Sequence, residues 1–139
     1  MIRAGADDAK NPKSSAWVSA NAGSGKTHLL ADRVTRLLFD GAKPERILCL
    51  TYTKAAAAEM SARLFDRLGT WALLGDQELR EKLTEIGADG QGAEALRRAR
   101  KLFAQALETP GGLKIQTIHS FCQHVLARFP IEAGVPPRF

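Results

Sequence analysis

Ala16-Trp17-Val18-Ser19-Ala20-Asn21-Ala22-Gly23-Ser24-Gly25-Lys26-Thr27 is the stretch on which the fold turns. A short, apolar, β-compatible run, Ala16 to Ala20, leads directly into a loop with two glycines, the pattern of a buried strand entering a tight turn. From Lys26 to Asp40 the apolar residues Leu29, Leu30, Val34, Leu37 and Leu38 recur at helical spacing until Gly41 and Pro44 stop them. The result is a strand, a glycine loop and a helix. Residues Ala20, Asn21, Ala22, Gly23, Ser24, Gly25, Lys26 and Thr27 match the phosphate-loop pattern, with Ala20 at its first glycine position. Gly23 and Gly25 let the backbone curl so that its N–H groups point at phosphate oxygens, and the helix that follows presents its positive end to the same spot. Lys26 and Thr27 are the expected catalytic pair, the lysine reaching the β- and γ-phosphates and the threonine hydroxyl ligating Mg²⁺.

The rest of the chain is consistent with one globular body. It has 139 residues, 45% apolar and 25% charged, which excludes a disordered or fibrous protein. Twenty Lys and Arg against fifteen Asp and Glu leave a net charge of +5, which favours a polyanionic partner such as nucleic acid. No apolar run approaches the roughly 18 residues that span a bilayer, and the start, MIRAGADDAK, carries charges where a signal peptide is apolar. A cytoplasmic protein without a membrane partner is expected. Cys49 and Cys122 form no C-x-x-C pair, so both are expected as buried thiols.

Residues 1–13, with Asn11-Pro12, read as a loose leader. Ile47 to Leu50 predicts a second strand, apolar on both faces as in a parallel sheet covered by helices. An Ala-rich helix follows over 55–74. The pattern then predicts two further helices, 76–86 and 93–108, broken by Gly87 to Gly92. Leu113 to Ile118 predicts a third strand, and His119 to Phe129 a helix ended by Pro130. This is an α/β order, a partial parallel sheet with a helical insertion. Three strands and an end at Gly134 to Pro137 without a closing element suggest a piece of a larger domain.

Two predicted strand ends carry polar clusters, where open α/β sheets bind ligands. The first is Thr51-Tyr52-Thr53-Lys54, and two readings of it stand open. Either Tyr52 stacks on a base while Thr51, Thr53 and Lys54 hold phosphates, or a threonine caps the helix and Tyr52 packs locally. The second is Thr117, His119 and Ser120, donors for a phosphate backbone or ordinary caps. The basic cluster Arg97, Arg98, Arg100 and Lys101 is likewise a solvated helix face or a DNA-contacting one.

Taken together, Ala20 to Thr27, Thr51 to Met60 and Thr117 to Cys122 resemble motifs I, Ia and Ic of the UvrD/Rep-type superfamily 1 helicases, in the family's order. Trp17 to Gly23 and the run Ala55 to Ala58 resemble its AddA-type branch, the helicase subunits of bacterial break-repair helicase–nucleases. The resemblance implies a P-loop NTPase of the RecA-like kind, motor domain 1A, with a first part over 14–65 and a return over 113–139. Between them, 66–112 would begin a 1B-like subdomain. It implies ATP and Mg²⁺ at Gly23, Gly25, Lys26 and Thr27, with Thr27 as the metal ligand. It further implies single-stranded DNA at Thr51, Tyr52, Thr53, Thr117 and His119, double-stranded DNA as the wider substrate, and an AddB-like partner subunit. The chain departs from the family pattern in two places. Lys54-Ala55 stands where many members have Asn-Lys, and the first glutamine is Gln77, so none precedes the loop.

Hydrolysis also needs an acidic pair at a strand end and an arginine for the transition state. Asp40 lies on the periodic helix and reads as a helix-end residue, Leu73-Leu74-Gly75-Asp76 fails as a strand end, and only Glu132 follows His119. The expectation is an ATP-binding N-terminal part of a translocating DNA helicase, inactive by itself. A stand-alone nucleotide- or DNA-binding module and a small-molecule P-loop kinase are the alternatives.

Overall fold

The computed structural model describes residues 6–21, 23 and 25–136. Its elements in order are α1 (Ala6–Lys10), α2 (Lys26–Phe39), a 3-10 turn (Pro44–Arg46), β1 (Leu48–Thr51), α3 (Lys54–Leu73), α4 (Asp76–Glu85), α5 (Ala93–Glu108), β2 (Lys114–Thr117) and α6 (Ile118–Arg128).

Periodicity and caps explain the helices. In α2, Leu29, Val34 and Leu38 line the buried side together with Asp32 and Thr35. A Schellman motif ends it: Gly41 takes φ +98, the Gly41 amide donates to the Leu38 carbonyl and the Ala42 amide to that of Leu37. In α3 the buried residues Met60, Leu64, Leu68 and Trp71 form one stripe, and in α5 Leu96, Ala99, Leu102 and Ala106 form another. These stripes meet. A Cβ on Gly69 would lie 3.4 Å from the Phe103 ring, so the two helices approach closely there. Leu79 and Leu83 of α4 join the same core, which reaches Phe39 and Cys49. Burying each large side chain of this cluster is worth about 1.5–3 kcal/mol. Residue 66 lies inside α3, and α2 to α5 share this single core.

The sheet is parallel, with two strands among the described residues, in register Leu48↔Lys114 to Thr51↔Thr117. Cys49 faces the core, while Leu48 and Leu50 are 42% and 41% exposed. The sheet is therefore covered on one face, not on both as the apolar run predicted.

Three further expectations are corrected. Residues 16–20 carry no strand pairing, and Trp17 is 94% exposed. A strand exists only through a neighbour, and Ala16, Ser19 and Ala20 have little intrinsic β preference to substitute for one. The leader is not loose over its described part. It forms α1, Ala9 is buried, and Lys10 lies 3.4 Å from the Asp32 carboxylate, so its polar groups are what dock it. Cys122 is exposed, because no residue of α6 is buried, whereas Cys49 is buried as expected and its thiol pKa is raised by desolvation.

Candidate nucleotide and nucleic-acid site

The phosphate loop is built by backbone conformation. Gly23 takes φ +74 and Gly25 φ +87, the left-handed region that a side chain disfavours. Gly25 is the N-cap of α2 and supplies no side-chain cap, and the first helical turn holds no acidic residue. That turn is an electropositive end without an anionic side chain of its own. The Lys26 ammonium curls back over the loop, donating to the Ala20 carbonyl and, at 2.9 Å, to that of Asn21. Thr27 is exposed on the first turn of the helix. Ala22 and Ser24, the remaining expected cradle residues, lie outside the described residues.

Parallel pairing brings the two polar clusters together at one edge of the sheet. Thr51 and Thr117 are partners in the register, so the chain leaves both strands side by side. Thr53 caps α3, its hydroxyl oxygen accepting from the Ala56 amide at 3.1 Å, and Thr117 caps α6, accepting from the Ser120 amide at 3.1 Å. The Thr51 hydroxyl donates to the Thr53 carbonyl at 3.0 Å. Tyr52, between them, is 89% exposed. The threonines therefore take the capping role, while Tyr52 does not pack locally. Lys54 and His119 are exposed beside the two caps.

The charged residues weighed in the sequence fall mostly into structural pairs. Asp40 is the C-cap of α2, paired with Arg36 at 3.0 Å, as the helix-end reading expected. Asp76 receives a hydrogen bond from Arg100 at 2.7 Å; that bond, and then the Arg100 charge, outweigh slight desolvation and lower its pKa. Arg97 pairs with Glu94, and the Arg98 guanidinium lies 4.4 Å from the Phe39 ring centre. Sequence reasoning missed Asp32. Its buried carboxylate stands 2.7 Å from Arg67, with Lys10 and His28 on its other sides. The available signal was an aspartate within the apolar stripe of α2, a position that a charge occupies only when paired. Among the described residues no group of three or more His, Cys, Asp or Glu could hold a metal ion, and no helix is long and apolar enough to cross a membrane.

Comparison with known proteins agrees with this geometry. The family model described as UvrD/REP helicase N-terminal domain matches residues 4–139. Relatives named as ATP-dependent helicase/nuclease subunits of the AddA type come from Desulforudis audaxviator, 36% identical over 125 residues, Bacillus mycoides, 34% over 125, and Lactobacillus acidophilus, 32% over 122. Each alignment covers 88% of this chain and 8% of the relative, so the chain spans a small part of the curated relatives it matches. No solved structure matches significantly.

Proposed function

The chain belongs to the UvrD/REP helicase N-terminal domain family, and from that premise we propose that it is the ATP-binding part of the motor of an AddA-like DNA helicase of double-strand break repair. In this reading it is part of a RecA-like P-loop NTPase, motor domain 1A, which runs over 14–65 and returns over 113–139. The stretch 66–112, read as the start of a 1B-like subdomain, shares the core of α2 and α3, so it would move with them as one body. The full-length enzyme acts on single- and double-stranded DNA in the cytoplasm, together with a second, AddB-like subunit.

The observation that carries this reading is the loop itself: two left-handed glycines before a helix whose first turn holds Lys26 and Thr27 and no acid. Backbone N–H groups of that turn bind phosphate oxygens. Lys26, on its flexible stem, exchanges the Ala20 and Asn21 carbonyls for the terminal phosphates and orients them. Thr27 fits Mg²⁺, because a hard cation takes single hydroxyl oxygens alongside phosphate and water, without a protein cage. When bound there, Mg²⁺ would neutralise charge on the phosphates.

At the sheet edge, Thr51, Thr53, Thr117 and His119 meet the phosphodiester backbone and Tyr52 lies beneath a base. Capping and backbone contact are compatible, since a capping hydroxyl accepts through a lone pair and keeps its proton to donate. The acids and arginine of hydrolysis come from other parts of the enzyme. In the full-length protein, Lys26→Ala is expected to reduce DNA-stimulated ATP turnover to background without lowering the melting temperature. Wild-type turnover in that variant would overturn the assignment.

A further inference from the structure

We propose that Arg33, outside the phosphate loop, is a positioning residue for it: its guanidinium fixes the segment through which the chain enters the loop. The proposal rests on reading residues 20–27 as the nucleotide site. Arg33 is on α2. Its Nη1 donates to the carbonyls of Ala9 at 2.7 Å and Asn11 at 2.9 Å, and its Nη2 donates to that of Ser14 at 2.5 Å. One planar fork thus gathers acceptors from three places in the segment, all of them backbone. Its neighbour Asp32 takes the ammonium of Lys10 from the same segment. Adjacent residues of α2 therefore hold residues 9–14, while Lys26, at the start of the same helix, holds Ala20 and Asn21.

Between these two attachments the segment has little else to locate it. Residues 15–20 are not paired as a strand, Trp17 is exposed, and a cleft of about 420 Å³ lies among Ala16, Val18, Leu29 and Leu30. Polar bonds to α2, not packing, set where the loop begins. The cradle consists of loop N–H groups and the first turn of α2, so their relative position decides how well phosphates are held. A lysine at position 33 would present a single ammonium and could not span the three carbonyls that the fork does.

The test is steady-state ATPase of the full-length protein with single-stranded DNA. Arg33→Ala is expected to raise the KM for ATP about tenfold, since misplacement by about 1 Å costs up to about 100-fold. Its kcat at saturating ATP should stay within about threefold, the signature of lost binding that ground and transition states share. Affinity for single-stranded DNA without nucleotide should match wild type. Arg33→Lys should fall between, and it decides alone if Arg33→Ala does not fold. A wild-type KM in either folded variant, or a parallel loss of kcat and DNA affinity, would overturn the proposal. Lys26→Ala, run beside them, separates the two failures. Normal turnover there removes the nucleotide site itself, whereas lost turnover beside wild-type KM values at position 33 removes only the clamp.

Discussion

Tyr52 makes a sharp prediction because its ring is nearly free of the protein. Stacking a base on an aromatic face is worth about 1–3 kcal/mol, so Tyr52→Ala in the full-length enzyme should weaken single-strand affinity about tenfold or slightly more. Tyr52→Phe keeps the face and should cost much less. Neither change should lower the melting temperature, because an exposed ring contributes little buried area. Anisotropy of a labelled oligonucleotide beside a thermal melt reads both quantities; unchanged affinity in Tyr52→Ala would remove Tyr52 from the DNA site. Sequence alone left its two readings even, since exposure at a strand end depends on what the neighbouring strand brings. The lysine and glycines of the phosphate loop were legible because their roles are local, set by φ and by distance along the chain. Asp32 and Arg33 were not, as their partners come from α1 and α3.

Between elements, the contact with the clearest pH signature joins the start of α4 to α5. Arg100 bonds both the Asp76 carboxylate and the Leu74 carbonyl, and Asp76 also sits in the first turn of α4, where negative charge is favoured. The Asp76 pKa is lowered on folding, so its contribution is fully present above the unfolded value near 3.9 and is lost as pH falls through the lower folded value. Asp76→Asn should therefore melt slightly below wild type at neutral pH, and the gap should close in acid below the carboxylate range. The effect is small because the pair is exposed. A gap that persisted in acid would show that the carboxylate charge is not what matters. At this scale the helices were legible to within a residue or two. Their apolar stripes, glycine stops and threonine caps all lie within the segments they organise. Ala16 to Ala20 was misjudged for the complementary reason: a strand depends on a neighbour that its own residues cannot specify.

Over the whole molecule, stability is unevenly distributed. The large buried side chains belong to α2, α3, α4 and α5, whereas α6 buries none and the sheet leaves Leu48 and Leu50 half open. Hydrogen exchange of the 139-residue chain should show the slowest amides in α3 and α5 and near-unprotected ones in α6. Uniform protection across both would mean that the sheet side is as firmly closed as the helical side. The same asymmetry matters during synthesis. Leu48 pairs with Lys114, and residues 52–113 must be made before β1 meets its partner. At about 5–20 residues per second the ribosome needs roughly 3–12 seconds for that stretch. Helices form within about a microsecond, so α3 can be complete while β1 still waits. For those seconds a nascent strand of the sequence Leu-Cys-Leu-Thr has an unpaired edge, a natural point of engagement for a chaperone while the polypeptide emerges.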